Sequence, residues 1–319
     1  MSRRSILIAA GATSAALVAS TPALAATPGL PASWDQQPRI PLWPKGTPET
    51  GFAAQPQPAD YPKNFVRNVA QPELRVFVPA RSNGQAVLSI PGGAYTFVSV
   101  INEGIDVARR MNALGYTVFV LIYRLPGEGW THRADVPLQD AQRAVRVIRS
   151  RAAEYRLDPA TLAVVGFSAG GHLAASLATG FGEAVAPVRD AIDRLDARPA
   201  HVGLIYPVIS HVPGIGHADS SLKLLGPSPD AALIARRSPA EHVTAATPPI
   251  FLAHALDDPA VPAENSVIMM RAMQAAKRPV EAHFFQRGGH GFGTGEPDLP
   301  ASAWPDLFLR WIADRVAAA

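Results

Sequence analysis

The chain has 319 residues, 48% of them hydrophobic and 17% charged, so it can build the core of one large domain or two small ones. A formal net charge of only +3, without a long basic run, gives no reason to expect a nucleic-acid partner. The absence of cysteine excludes a disulfide framework, a cysteine nucleophile and thiolate metal ligands.

Residues 1–25 have the pattern of an export signal. Arg3 and Arg4 precede an apolar, alanine-rich stretch, and the sequence Ala-Leu-Ala at 23–25 offers a cleavage site for a signal peptidase. An arginine pair followed by Ser5 and two apolar residues is typical of a twin-arginine signal, and an ordinary secretory signal is the alternative. We therefore predict a bacterial protein exported to the periplasm or the medium. Beyond this segment no apolar run is long enough to span a bilayer, so no stable membrane anchor is expected.

Residues 26–70 are rich in proline and polar residues and show little helical or strand periodicity. We predict that they form an arm that wraps around the fold, anchored by Trp34 and Trp43. The remaining residues, 71–319, are predicted to form one domain.

Within that domain, apolar runs typical of strands alternate with amphipathic helical patterns. The predicted strands are 75–78, 86–90, 117–123, 162–167, 202–208, 250–254 and 282–285. The predicted helices cover 107–114, 138–152, 171–179 and 308–312. Several strands are nearly continuous apolar runs, as expected when both faces of a sheet are covered. The sequence therefore predicts an α/β fold with a mostly parallel central sheet and helices on both faces.

The segment 210–249 is irregular and rich in proline, glycine and alanine. Long loops at the carboxyl edge of a parallel sheet usually shape the ligand cleft. We predict a small cap here rather than a plain connection, because the segment is too long for a connector.

The most specific motif is G-x-S-x-G at 166–170, directly after an apolar run. A serine hydroxyl becomes a useful nucleophile when a tight strand-to-helix turn exposes it beside a histidine that takes its proton. Side chains in place of Gly166 and Gly170 would collide with the neighbouring strand and helix. Ser168 is therefore the predicted nucleophile.

His290 is the predicted general base among nine histidines. It stands among four glycines at 288–293, so it has no local packing partner and can reach over the edge of the sheet. His172 lies one turn into the helix that follows Ser168, and we expect it to pack beneath that turn.

The other histidines have structural interpretations. His254 ends a predicted strand and is expected to hydrogen-bond within its own turn. His211 and His217 lie in the predicted cap, and their spacing matches no common metal-ligand motif. No metal site is predicted.

Asp257 and Asp258 both follow the strand predicted at 250–254, and either could orient the base and stabilise its imidazolium form. Other acidic residues have ordinary explanations as a first helical turn, a helix surface and an Asp-Pro turn: Asp140, Glu154 and Asp158.

The segment Pro-Gly-Gly-Ala-Tyr at 91–95 follows the strand predicted at 86–90. Its glycines allow the backbone to approach a substrate carbonyl closely. We predict that the N–H groups of Gly93, Ala94 and Ala169 form the oxyanion hole, with a simple turn as the alternative for this segment.

From about residue 42 to residue 292 the chain resembles bacterial secreted α/β-hydrolase esterases related to the hormone-sensitive-lipase family. The resemblance is strongest to carbohydrate acetylesterases of the acetylxylan-esterase-like or xylanase-B-like kind. The matching segments are 42–44, 91–95, 123–126, 138–144, 166–173, 258–262 and 289–293.

The resemblance implies an α/β-hydrolase fold for 71–319 and selects Asp258 as the acid, because in such enzymes the acid shortly precedes a Val-Pro pair. The chain order Ser168, Asp258, His290 is also that of the α/β-hydrolases. Two positions depart from the family pattern, since Pro91 stands where many relatives carry histidine and Ala94 where many carry glycine. Pro91 offers no N–H, but the predicted donors come later, and Ala94 would suit a small acyl chain.

The expected function is hydrolysis of short acyl esters, implied by the resemblance to be deacetylation of carbohydrates such as xylo-oligosaccharides. Tyr95 and Phe292 are predicted to contact this small-molecule or oligosaccharide substrate, and no cofactor is expected. A peptidase or amidase on the same fold, and a noncatalytic binding protein, are the alternatives. The sequence does not indicate the oligomeric state.

Overall fold

The computed structural model describes residues 32–317. The predicted signal peptide lies outside the described residues. The strands are β1 (Arg39–Pro41), β2 (Phe65–Val66), β3 (Glu73–Phe77), β4 (Ala86–Ile90), β5 (Val98–Ser99), β6 (Thr117–Ile122), β7 (Ala163–Phe167), β8 (His201–Ile205), β9 (Ile250–Ala255) and β10 (Val280–Phe285).

The α-helices of the described residues are α1 (Ala32–Asp35), α2 (Asp106–Asn112), α3 (Val136–Ser150), α4 (Ala152–Tyr155), α5 (Ser168–Gly180), α6 (Ala218–Leu225), α7 (Ala231–Arg236), α8 (Glu264–Ala275) and α9 (Trp304–Ala317). A π-helix, Ile101–Ile105, precedes α2. Short 3₁₀ helices cover Pro159–Thr161, Ile192–Arg194, Pro239–His242 and Pro300–Ala303.

Eight strands form the central sheet in the order β1-β3-β6-β4-β7-β8-β9-β10. The pairs from β6 through β10 are parallel, whereas β1–β3 and β3–β6 are antiparallel. Strands β4, β6, β7, β8 and β9 are buried along their whole length, as their apolar sequences require. The predicted α/β fold, a mostly parallel sheet with helices packed around it, is confirmed.

The predicted arm contains more regular structure than its composition suggests. Strand β1 adds to the sheet edge next to β3, and β2 pairs with β5 in a second, two-stranded sheet. Trp34 and Trp43 are both buried. These strands were missed because their pairing is long-range and their sequences are only two or three residues long.

Asp140 also differs from its predicted place on a helix's first turn. Its carboxylate is fully buried, lies 2.8 Å from the Arg124 guanidinium and accepts a 2.7 Å hydrogen bond from Trp43 Nε1. A buried charge needs such partners to offset its lost hydration. This contact attaches the arm to α3.

Four loops meet at the carboxyl edge of the sheet, because they follow neighbouring parallel strands. They leave β4 at Pro91, β7 at Ser168, β9 at Leu256 and β10 at Gln286. This edge is where open α/β sheets bind ligands.

Candidate active site

Ser168 occupies a strained turn between β7 and α5. Its φ angle is 52°, in the left-handed region that non-glycine residues rarely adopt. A Cβ at Gly166 would lie 2.3 Å from the Gly170 carbonyl oxygen, and one at Gly170 would lie 2.2 Å from the Ile90 carbonyl oxygen. Only glycine fits at either position, which explains the spacing of the motif.

The structure brings Ser168, His290 and Asp258 into one hydrogen-bonded chain. Ser168 Oγ lies 2.9 Å from His290 Nε2, and His290 Nδ1 lies 2.7 Å from Asp258 Oδ2. Because a carboxylate only accepts, Nδ1 carries a hydrogen and Nε2 of the neutral ring is free to accept the serine proton. This is the geometry that a serine nucleophile needs.

Asp258 is held ionised by its surroundings. Burial raises the pKa of Asp258, but hydrogen bonds with His254, His290 and the backbone N–H of Val261 outweigh burial and hold the pKa below its usual value. His254 itself bonds to the Val261 carbonyl oxygen at 3.0 Å, within its own turn as predicted. The result is a stable negative charge next to His290.

Asp257 faces the same loop but contacts its backbone rather than the imidazole. Its Oδ1 accepts hydrogen bonds from the N–H groups of Gly288 and Gly289, at 2.9 and 2.8 Å. Asp257 therefore caps the turn that leads to His290. The two neighbouring aspartates thus hold the histidine loop at two different points.

The predicted oxyanion donors lie around Ser168. Gly93 and Ala94 line the same cavity as Ser168, and within the described residues their N–H groups donate to no protein acceptor. Ala169 is in the first turn of α5, where N–H groups have no partner within the helix. Positive φ angles of 52° at Ala94 and 57° at Tyr95 give this loop its tight turn.

The cavity at Ser168 has a volume of about 250 Å³. Its walls combine apolar rings with polar side chains: Phe65, Gly93, Ala94, Phe97, Ser99, Asn102, Glu103, Ser168, His217, His290 and Gly291. Phe65 and Phe97 pack with their ring centroids 4.3 Å apart. Since Phe65 belongs to β2, the predicted arm supplies part of the cavity wall.

Tyr95 and Phe292, which were predicted to contact substrate, are not among the residues that line this cavity. Tyr95 is only 1% exposed, and its hydroxyl lies 2.6 Å from His172 Nδ1. Phe292 packs against the Tyr206 ring at a centroid distance of 4.4 Å. Tyr95 therefore packs inside the fold, and Phe292 packs on the ring that lies next to His290.

Three residues in contact with the site had no role in the sequence interpretation: Glu103, Tyr206 and His217. Glu103 and His217 line the cavity, and the Tyr206 ring lies 5.1 Å from the His290 ring. An acidic residue between Ile101 and Ile105 is a weak sequence signal, since a charge in an apolar stretch often has a buried partner. Neither Tyr206 nor His217 has a comparable local signal.

A larger cavity of about 350 Å³ lies near the end of α5 and contains no nucleophile–base pair. Its Arg236 and Arg237 are already paired with Asp135 and Glu183. The smaller cavity at Ser168 is therefore the candidate active site.

Across residues 32–317 no group of three or more histidine, aspartate or glutamate side chains is arranged to hold a metal ion. None of the helices in the same range is long and apolar enough to cross a membrane.

Residues 74–273 match the protein-family model described as BD-FAE. Among curated proteins, an acetylxylan esterase of Xylanibacter ruminicola is 30% identical over 240 residues, which are 73% of this chain and 47% of that protein. Endo-1,4-beta-xylanase B of Butyrivibrio fibrisolvens is 36% identical over 218 residues, or 68% of this chain and 34% of that protein. The aligned part is thus less than half of either relative.

Among solved structures, an acetyl ester-xyloside bifunctional hydrolase from Caldicellulosiruptor lactoaceticus superposes with a TM-score of 0.72 at 32% identity. The match covers 87% of this chain and 96% of that one. The similarity therefore extends over nearly the full length of a solved hydrolase.

Proposed function

Since this chain belongs to the BD-FAE family, we propose that it is a carboxylic ester hydrolase with Ser168 as nucleophile, His290 as general base and Asp258 as the acid that orients the base. The observation that carries the proposal is the hydrogen-bonded chain from Ser168 Oγ through His290 to Asp258, with separations of 2.9 and 2.7 Å. This hydrogen-bonded arrangement requires a strained turn at the serine and a buried carboxylate, and it enables proton transfer from the serine.

In the first step Ser168 Oγ attacks the ester carbonyl carbon while its proton passes to His290 Nε2. The carbonyl oxygen gains a negative charge, which the N–H groups of Gly93, Ala94 and Ala169 stabilise. The intermediate collapses to an acyl-serine, and His290 gives its proton to the departing alcohol. Water then attacks the acyl-serine with His290 again as base, releasing the carboxylic acid and restoring the serine.

The proposed substrates are short acyl esters, in particular acetyl groups on carbohydrates such as xylo-oligosaccharides. The names of the related acetylxylan esterase and of the acetyl ester-xyloside hydrolase support this class. The cavity of about 250 Å³, with Phe65 and Phe97 in its wall, also favours a small acyl group over a long chain. Export to the periplasm or medium, as predicted from residues 1–25, would place the enzyme where plant-derived oligosaccharides occur.

Hydrolysis of nitrophenyl esters from acetate to octanoate, and of acetylated xylo-oligosaccharides, tests the proposal. We expect the rate to fall as the acyl chain lengthens, and acetate to be released from the oligosaccharides. Ser168→Ala should lower kcat about a millionfold, and the double variant with His290→Ala should lose little more, because the two residues act as one unit. Wild-type protein without activity on every ester would contradict the proposal.

The two alternatives give different results in the same assay. A peptidase or amidase would cleave peptide nitroanilides in preference to esters. A noncatalytic binding protein would bind acetylated oligosaccharides equally well as wild type and as Ser168→Ala, and would hydrolyse none of them.

A further inference from the structure

Glu103 is a buried carboxylate beside the candidate active site that no step of the proposed mechanism uses. It is 4% exposed, and within residues 32–317 no lysine or arginine forms an ion pair with it. Burying a carboxylate without a cation is costly, so its retention beside a reactive serine calls for a functional explanation.

Its two oxygens connect the two loops that carry the catalytic groups. Oε2 accepts a 2.7 Å hydrogen bond from the N–H of Gly92, next to the predicted oxyanion donors. Oε1 accepts a 2.9 Å hydrogen bond from the Tyr206 hydroxyl, and that hydroxyl oxygen accepts a 3.0 Å bond from the N–H of Gly293 in the histidine loop. Burial raises the pKa of Glu103, and the two hydrogen bonds that its oxygens accept offset part of that rise.

The π-helix from which Glu103 projects makes a second connection to the histidine loop. Asn102 Nδ2 donates to the Gly291 carbonyl oxygen at 3.2 Å, and Asn102 Oδ1 accepts from Ser99 Oγ at 2.8 Å. Such π-helical turns are rare and occur often at functional sites. The π-helix thus places two consecutive side chains, Asn102 and Glu103, in contact with the loops on either side of Ser168.

We propose that Glu103 is a positioning residue for ester hydrolysis, which joins the loop of backbone donors to the loop that carries His290 through Tyr206. This inference rests on the proposed function. This connection through Glu103 and Tyr206 sets the distance between the oxyanion donors and the base, two groups that must act on the same carbonyl. A displacement of about 1 Å between them would cost about a hundredfold in rate.

The variants Glu103→Gln and Tyr206→Phe test this connection between the two loops. The glutamine offers only one acceptor oxygen. Its NH₂ group would therefore face either the Gly92 N–H or the Tyr206 O–H, and both of these are donors as well. We expect kcat on nitrophenyl acetate to fall about 10- to 100-fold while KM changes less than about twofold, because the cavity walls that bind the ground state are intact. Tyr206→Phe breaks the same connection. The double variant should therefore be about as slow as the slower of the two single variants, and no slower.

Glu128→Gln is the matched control. Glu128 is also a buried carboxylate, 2% exposed, and its two oxygens also each accept a hydrogen bond, here from the backbone N–H groups of Asn68 and Val69. It does not line the cavity at Ser168. We expect its variant to have a lower melting temperature with kcat within about twofold of wild type, because only structural hydrogen bonds are lost.

A wild-type kcat in Glu103→Gln, or equal losses in Glu103→Gln and Glu128→Gln, would overturn the positioning role. Should Glu103→Gln fail to fold, a wild-type kcat in Tyr206→Phe would overturn it equally. Failure of the wild-type protein to hydrolyse any ester is a different result, which would overturn the proposed function itself.

Discussion

Two histidines close to Ser168 occupy opposite environments. The His290 side chain is 23% exposed, and its ring nitrogens contact a serine hydroxyl and the Asp258 carboxylate. His172, four residues after the serine on α5, is 1% exposed, and its Nδ1 contacts the Tyr95 hydroxyl. The histidine that is nearer in sequence is therefore the one that is buried and contacts no carboxylate.

The partners of His172 explain this difference. Its Nε2 lies 2.7 Å from the Arg237 carbonyl oxygen, which only accepts, so Nε2 carries the hydrogen and Nδ1 accepts from the Tyr95 hydroxyl. His211 Nε2 adds a contact of 3.0 Å to His172 Nε2. Burial lowers the pKa of His172 to about 4 and that of His211 to about 2. A carboxylate partner and some exposure make a base, whereas burial among neutral partners keeps a histidine neutral.

The largest expected effect comes from removing each histidine in turn. His290→Ala should lower kcat for nitrophenyl acetate about a millionfold, because Ser168 loses its proton acceptor. His172→Ala should lower the free energy of unfolding by about 1–3 kcal/mol, because the Tyr95 hydroxyl and the Arg237 carbonyl oxygen lose their hydrogen bonds to it, while kcat stays within about tenfold. Steady-state kinetics and urea denaturation of both variants measure this contrast. A dead His172→Ala beside an active His290→Ala would reverse our assignment of the base.

The second effect separates the two neighbouring aspartates. Asp258→Asn should lower kcat about 10⁴-fold, because the amide presents an NH₂ group to His290 Nδ1 and favours the wrong tautomer. Asp257→Asn retains a carbonyl oxygen for the N–H groups of Gly288 and Gly289 and should cost less than about tenfold. The ratio of the two kcat values at neutral pH measures the difference. Equal losses would mean that the base is oriented through its loop rather than through its ring.

The sequence predicted best those strands and helices whose apolar pattern lies within the element itself. The strands β4, β6, β7 and β9 are nearly continuous apolar runs and lie within two residues of their predicted bounds. Helix α8 was missed, because its buried positions are few and include Asn265 and Ser266. In α8 tertiary packing rather than an apolar stripe determines the buried face.

The residues proposed as nucleophile and base could be selected from the sequence, because Ser168 lies in a motif of fixed geometry and His290 among glycines. The choice of Asp258 over Asp257 as the acid came from the family resemblance. Glu103 and Tyr206 could not be selected. They are 103 residues apart in sequence, and their hydrogen bond exists only because the fold brings the π-helix next to the residue that follows β8. Long-range contacts of this kind leave no periodic or motif signal.

The next effect concerns the stability of the buried histidine. The unfolded chain takes up a proton at His172 near pH 6.5, whereas the folded chain resists until about pH 4. Because the pKa is depressed on folding, the stability that this site contributes is full above about pH 6.5 and is lost as the pH falls toward 4, by about 3 kcal/mol. Urea denaturation between pH 7 and pH 4 measures the loss, and His172→Gln should show a shallower dependence. Identical pH dependence in both proteins would exclude His172 as the cause.

A third histidine, His217, extends the comparison, because it is neither the proposed base nor a fully buried histidine such as His172. Its Nδ1 accepts the backbone N–H of Ser220 at 3.3 Å and caps the N-terminus of α6. Nε2 of the neutral ring therefore carries the hydrogen, and burial lowers the pKa of His217, which keeps the ring neutral. His217 lines the cavity together with His290. In the proposed mechanism His290 protonates the leaving alcohol, so we expect the alcohol to lie on the side of these two residues.

The smallest effect follows from that position. His217→Ser retains a good helix cap but removes the Nε2–H donor, so kcat/KM for acetylated xylo-oligosaccharides should fall about tenfold, the value of about one hydrogen bond to a sugar hydroxyl. Nitrophenyl acetate has no hydroxyl on its leaving group, and its kcat/KM should change less than about twofold. Parallel assays of both esters measure this split, with melting temperature as a check on the cap. An equal fall for both esters would place His217 with the catalytic groups instead, because only a contact with the alcohol distinguishes a sugar ester from an aryl ester.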